Sequence, residues 1–419
     1  GMGDGYRESP PATLTVIEPV QTGVITDLWS LAPGSRSYLN TGYNEYGMAF
    51  NPANSNLIVV SVVGGYPTVA VLDALTGDDR HILDVTTISG TGKLLHKVDV
   101  ADDGVVYAGN LTTAAGTSPF KLYRWANDAA DTVASVAFEG DPTPTVSPGK
   151  GCGYTLDVRG AGVDTEVLVG MGAWGATTNT VSILTTTDGV NFTANEIWVT
   201  NAPAGFSRLG LCFGEGNTFW GKAWRDEAVA LGRLYLVEYD LAARRGTVIQ
   251  TYETTQVSST ITSLAYQDEL KLLAGIARDD QKNVMLYDVS NPGAGPQLLD
   301  QILFPTYNPS VEANGELDFG GNTYLFALNE NNGIMAFVID PAYQPPATAF
   351  KILNVVAANG DITLQWEARA GTKYQVQYAT AVTGGWTNLG DEITATEATA
   401  SYKDTAPADG ARFYRILVK

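Results

Sequence analysis

Histidine and cysteine carry much of nucleophilic, acid–base and soft-metal chemistry. The 419 residues hold two of each: His81 and His96, Cys152 and Cys212. His96, in Leu95-His96-Lys97, is a general-base candidate because imidazole titrates near working pH. No Ser, Asp or metal-ligating partner stands at a diagnostic spacing from it, and a channel-lining hydrogen-bond donor is the competing role. The two cysteines are too few for a disulfide-rich scaffold or a Cys-based zinc cluster. Glu45 and Glu312 fall near the starts of two strands that the repeat described below makes neighbours, and glycoside hydrolysis uses paired carboxylates. Asp and Glu number 45, so most are solvated surface groups. Asp102-Asp103-Gly104 lies between apolar runs, the ordinary hairpin-turn signal. No ladder of Asp/Asn ending in a distal Glu marks a calcium loop. No metal site and no cofactor is expected.

Positioning falls to short apolar runs separated by Gly, Asp, Asn or Pro, such as Leu57-Ile58-Val59-Val60 and Glu166-Val167-Leu168-Val169. Their length and composition read as strand, and no window sustains a 3.6-residue period. The chain is expected to be all-β. Its length exceeds the roughly 250–300 residues at which one core stops growing, so two domains or a repeat array are expected. Apolar residues at 44% and charged residues at 17% exclude global disorder. A net charge of −20 repels polyanions, and no nucleic-acid partner is expected. No apolar run approaches the roughly 18 residues that cross a membrane as a helix, so no transmembrane segment is expected.

The strands repeat. The last apolar residue of one strand type recurs at Phe50, Val100, Val158, Phe213, Tyr266 and Phe319, with separations of 50, 58, 55, 53 and 53. A fixed period of that size signals a propeller or solenoid. The second strand of four units carries Gly in one register: Gly109, Gly170, Gly221 and Gly275. Such a glycine signals close backbone approach, or a lack of room for a side chain near a crowded axis. Third and fourth strands follow, as in Val69–Asp73 and His81–Leu83. Four antiparallel strands in six units make a six-bladed β-propeller. Seven blades would require an extra strand set inside a longer unit. The last unit lacks a fourth strand, and the spare N-terminal strand, within about 22–31, is expected to complete it and close the ring. The propeller then spans 1–345. After Pro345-Pro346, residues 350–419 hold six or seven short strands, expected to form a β-sandwich. Cys152 and Cys212 sit five strand positions apart in register, roughly 16 Å at about 3.3 Å each. A disulfide needs Cα atoms within about 7 Å, so two free thiols are expected.

Val71-Leu72-Asp73-Ala74-Leu75-Thr76-Gly77 resembles the third strand and turn of quinoprotein-like and surface-layer propellers. Leu286–Pro292 resembles the LVIVD-type repeat. Thr186-Thr187-Asp188-Gly189-Val190-Asn191-Phe192 resembles a degenerate Asp-box of sialidase-like propellers, with Gly directly after Asp and Phe for Trp. In those families the box is a folding device. Gly371–Thr380, Gly385-Trp386-Thr387-Asn388-Leu389-Gly390 and Ala411–Ile416 are similar to a C-terminal fibronectin-III-like module of exported proteins from Verrucomicrobia and related bacteria. The whole chain resembles uncharacterised DUF4623-type propeller proteins. That resemblance implies export, hence an extracellular or periplasmic location, and implies no chemistry. No charged-then-apolar signal segment follows Gly1-Met2.

In a propeller, loops entering the inner strands share one end with loops joining second and third strands. That end is expected to gather Tyr43, Asn44, Glu45, Tyr66, His96, Lys150, Trp174, Arg208, Trp224, Arg278 and Asn308. Aromatics with convergent polar groups suit a sugar or peptide. Packing between blades is the competing role for Trp174 and Trp224. The expected function is an exported, non-enzymatic protein binding a polysaccharide or a protein. The alternative is a propeller hydrolase or lyase acting on a glycan or lactone, which would need clustered carboxylates or a metal at the channel mouth.

Overall fold

In the computed structural model the described residues are 23–90, 93–172, 178–222, 232–277, 283–306, 308, 315–345, 352–358, 360–368, 372–380, 385–405 and 412–418. They form an all-β protein with no α-helix among them. After β1 (Ile25–Leu31) the strands fall into antiparallel meanders. The first is β2 (Glu45–Asn51), β3 (Asn56–Val63), β4 (Tyr66–Asp73) and β5 (Asp79–Ile82). The second is β6 (Lys93–Val100), β7 (Val106–Leu111), β8 (Phe120–Trp125) and β9 (Ser135–Gly140). The third is β10 (Cys152–Arg159), β11 (Glu166–Met171), β12 (Thr180–Thr186) and β13 (Phe192–Thr200). The fourth is β14 (Gly210–Phe213), β15 (Thr218–Lys222), β16 (Leu234–Asp240) and β17 (Arg245–Tyr252), and a short parallel pairing of β13 with β17 joins these two into one eight-stranded sheet. The fifth is β18 (Ile261–Gln267), β19 (Leu272–Ala277), β20 (Asn283–Asp288) and β21 (Gln297–Leu303). The sixth is β22 (Gly315–Gly320), β23 (Tyr324–Asn329) and β24 (Gly333–Ile339), with β1 as its outer strand. The N-terminal strand pairs antiparallel with β24 from Ile25↔Ile339 to Leu31↔Ile334 across a bulge between Asp27 and Trp29.

Burial explains why the second and third strands of each meander read as near-continuous apolar runs. β3 is buried at every position but its last, whereas the outer β17 alternates. A strand buried on both faces needs apolar side chains throughout; an edge strand needs them on one face. The cores lie between consecutive meanders. Met48, Leu57 and Val59 of the first pack with Phe326, Leu328 and Ile334 of the last. Ile58, Val60 and Val71 meet Val98, Val106 and Trp125 of the second. Tyr107 and Leu122 meet Leu156, Val167 and Val169 of the third, and Leu168 and Ile183 meet Leu211, Phe219 and Tyr235 of the fourth.

The recurring glycine is the point of closest approach. A Cβ at Gly170 would lie 1.9 Å from Thr155 Oγ1 and 2.6 Å from the Ser207 carbonyl. At Gly221 it would lie 2.8 Å from the Phe206 ring. Gly170→Ala is therefore expected to destabilise by about 2–3 kcal/mol, since overpacking forces backbone shifts. Urea denaturation checks this, with Gly385→Ala, where a new Cβ meets nothing, unchanged.

The turns behave as the sequence suggests. Asp188 accepts the Val190 and Asn191 N–H groups at 2.8 and 2.7 Å, and those bonds, led by the Asn191 side chain, hold its carboxyl well below the usual range. Gly104 has φ +86, and Asp103 accepts Gly162 N–H at 3.0 Å, tying a turn of one meander to the next. Cys152 and Cys212 are free and buried, and burial raises both thiols. The third meander's outer strand, β13, continues from the Asp188 turn through Ile197-Trp198-Val199.

The chain divides into two compact units: Gly1–Tyr266, Ala274–Tyr287 and Leu298–Tyr343 in one, Gln267–Leu273, Asp288–Gln297 and Gln344–Lys419 in the other. In the second, β25 (Ile352–Ala358), β26 (Asp361–Glu367) and β30 (Thr399–Asp404) make one sheet. β27 (Lys373–Ala379) pairs with β28 (Thr387–Asn388), β29 (Ile393–Thr394) and β31 (Phe413–Val418) in another. Leu364, Trp366, Tyr374, Val376 and Ile416 form its core.

Candidate functional site

One place before the six anchors stand Ala49, Asp99, Asp157, Cys212, Ala265 and Asp318; three places before stand Gly47, Lys97, Thr155, Gly210, Ser263 and Glu316. These two positions share a strand face. The three aspartates each reach the following meander's first strand. Asp318 Oδ2 accepts Phe50 N–H at 2.6 Å, Asp99 Oδ2 accepts Val158 N–H, and Asp157 Oδ2 accepts Phe213 N–H at 2.7 Å. Asp99 and Asp318 also accept the N–H of the next residue in their own strand, both at 2.7 Å. Lys97 Nζ runs from β6 to β22, where it donates to Gly315 O at 2.6 Å and lies 2.9 Å from Glu316 Oε2. Ser263 Oγ of β18 donates to the same carbonyl at 2.8 Å.

Burial governs the electrostatics. The four acidic residues are half-buried, and protein surrounds their carboxyl groups. Burial pushes Asp157 up to about 7, with the Glu316 charge adding and the Phe213 N–H opposing. Asp318 is likewise pushed up to about 7, by burial first and then by Asp157 and Glu316, against the N–H groups of Phe50 and Phe319. Asp99 is raised by burial and by both other aspartates. Burial raises Glu316 and Lys97 opposes it. Asp99 and Asp157 feel one another's charge, so their titrations belong to the pair rather than to either residue. The cluster can hold and share protons; each aspartate already holds a backbone N–H.

Of the residues expected at the loop end, Tyr43, Asn44, Glu45 and Asn308 come together around Asn331. Tyr43 N–H donates to Asn331 Oδ1 at 2.9 Å, and Asn308 Nδ2 donates to the Asn331 carbonyl at 2.9 Å. Glu45 is 1% exposed and accepts the Asn40 N–H. Burial raises its carboxyl against backbone N–H bonds from Asn40, Asn331 and Asn44. Asn44 Nδ2 donates to Asn40 Oδ1 at 3.0 Å. His96 is fully buried; its Nδ1–H donates to Gly153 O at 2.8 Å, with Tyr46 stacked on it at 4.9 Å and Tyr154 edge-on at 5.5 Å. Lys93 Nζ caps the Tyr46 ring at 4.3 Å. Tyr66, by contrast, is 79% exposed beside Gly64-Gly65 at the β3–β4 hairpin. Lys150 and Arg208 are half-buried on the loops entering β10 and β14. Trp174, Trp224, Arg278 and Glu312 lie outside the described residues. Among the described residues no three His, Cys, Asp or Glu side chains are placed to hold one metal ion, and no helix is long and apolar enough to cross a membrane.

No family model matches the chain, and no curated protein matches it. Among solved structures it is similar to a DUF4623 family protein from Bacteroides eggerthii, at 13% identity over 71% of each chain and a TM-score of 0.51. A chain of the mitotic checkpoint complex aligns over 81% of this chain and 98% of its own, at 12% identity and a TM-score of 0.45. At such identities the likeness to the DUF4623 family protein is one of fold.

Proposed function

We propose that the six meanders are the blades of a β-propeller closed by the N-terminal strand, that the C-terminal unit is a fibronectin-III-like sandwich, and that the protein is an exported, non-enzymatic binder of polysaccharide. The first four meanders pack face to face in succession, and the last packs on the first. The aspartates and the Lys97 and Ser263 contacts with Gly315 then sit around a common axis. The observation that carries the binding reading is the commitment of the chemically able groups. His96 is sealed between two tyrosines, Glu45 is clasped by backbone N–H groups, and each axial aspartate holds its neighbouring strand. The exposed Tyr66 ring remains at the loop end, where aromatic faces suit sugar.

Affinity electrophoresis of the full chain through a panel of neutral and acidic polysaccharides tests this. Retardation without release of reducing ends is expected, weakened about tenfold by Tyr66→Ala, the cost of losing roughly 1.4 kcal/mol of ring contact. Sugar release or lactone hydrolysis that tracks the protein would establish the enzyme reading instead. Absence of retardation by every polysaccharide would leave a protein ligand as the account.

A further inference from the structure

We propose that the outward face of the β27–β31 sheet is a second binding site, in which Arg415, held against Trp386, takes the carboxylate of an acidic saccharide. The site extends the polysaccharide reading beyond the propeller, and different variants test it.

Register places the parts. Gln377 of β27 is paired with Arg415 of β31 on one side and with Asn388 of β28 on the other, so the three lie in a row across the sheet. The neighbouring positions Val376 and Ile416 point to the core, which leaves this row on the outer face. Arg415 Nε donates to Gln377 Oε1 at 2.7 Å, and Gln377 Nε2 donates to Asn388 Oδ1 at 2.7 Å. The guanidinium sits 4.4 Å from the Trp386 ring centroid. Phe413, on the same strand face, is 38% exposed.

Arg415 is fixed on two sides yet has no carboxylate. Arg36, Arg80, Arg159, Arg233 and Arg412 each pair with an Asp or Glu. In a chain with 45 acidic residues, the exposed Arg415 has no such partner among the described residues. Its two terminal nitrogens carry four N–H donors in the planar fork that matches a carboxylate. Stacking and the Gln377 bond have already ordered the side chain, so a ligand meets little further entropy cost. The exposed Phe413 ring and Asn388 amide beside that fork fit a sugar ring bearing a carboxylate, a uronate.

The probe is trigalacturonate, titrated into the full chain by calorimetry at low salt, with its methyl ester as the uncharged control. Saturable binding is expected, reduced at least tenfold by Arg415→Gln and by esterification. Arg415→Lys should also lose most affinity, because an ammonium lacks the fork. Trp386→Ala should weaken binding several-fold, and Tyr66→Ala should leave it unchanged. Unaltered melting of Arg415→Gln shows that the fold survives. Equal binding by Arg415→Gln or by the ester would overturn this site while leaving the Tyr66 end untouched. Loss only in Tyr66→Ala would do the same. No binding of trigalacturonate, or binding only of a carboxylate-terminated peptide, would also overturn it.

Discussion

Between pH 5 and pH 8 the melting temperature is expected to fall by about 5 °C, the reverse of the behaviour given by salt-bridged surface carboxylates. Asp157 and Asp318 are raised from 3.8 to about 7 in the folded chain, and Asp99 is raised with them. The folded state therefore holds protons that the unfolded state has released. That stability is fully present below about pH 4 and is lost as pH rises through 7. Each such carboxyl corresponds to a few kcal/mol at most. The three share one another's field, so the sum is smaller than three independent terms. Glu316 adds to the effect; Lys97 and Arg159, the cations that face the cluster, oppose it. Surface turn carboxylates act with the other sign. Asp73, Asp84 and Asp188 are held low by hydrogen bonds, and their contribution disappears as pH falls below about 4. A maximum near pH 5 results. Asp157→Asn keeps an acceptor for Phe213 N–H without the charge, so it should raise the melting temperature at pH 8 and flatten the slope. Thermal melts across pH 4 to 9 check both; a rising profile through pH 7 would show that the cluster is ionised at no cost.

The repeat was legible because the fold imposes it on composition. Strands buried on both faces must be apolar throughout, so Leu57–Val60 and its counterparts stand out, and Phe50, Val100, Val158, Phe213, Tyr266 and Phe319 all fall at or within two residues of strand ends. The glycine register was legible for the same reason, since no side chain fits at Gly170 or Gly221. The spare N-terminal strand was found by counting strands. The buried carboxylates also leave a signal in the sequence: an aspartate directly before the anchor in three units of six. A charged residue recurring at one position of an otherwise apolar strand has to be answered by something buried, here the next strand's N–H. His96 and Glu45 stand out in the sequence by residue type and by nearness to strand starts, but neither property reports accessibility. Only packing reveals that Tyr46 and Tyr154 enclose the imidazole. Arg415 does not stand out in the sequence because what sets it apart, an exposed guanidinium held by Trp386 and Gln377, belongs to the assembled surface.

Lys97→Met is expected to cost about 3–5 kcal/mol of stability, because it breaks a buried ion pair. Lys97 and Glu316 have side chains only 4% and 13% exposed, and they meet at 2.9 Å. Removing the ammonium leaves a carboxylate in a site already crowded by Asp157 and Asp318. It also strips the Gly315 carbonyl of one of its two side-chain donors, with Ser263 remaining. The Lys97→Met/Glu316→Leu double variant separates pairing from bulk. A buried ion pair replaced by apolar residues of similar volume is often neutral, so the double variant should recover most of the loss. The coupling measured by that cycle should exceed about 2 kcal/mol, well above the additivity limit for residues not in contact. The penalty should also shrink between pH 8 and pH 5, because an unpaired Glu316 can take up a proton and become neutral, and this ties the result to the pH profile of the aspartates. Urea unfolding of the wild type, both single variants and the double variant at the two pH values supplies every number needed. A Lys97→Met variant as stable as wild type at pH 8 would mean that the lysine is not the tie between β6 and β22, and that the sixth sheet is held in place by its apolar faces alone.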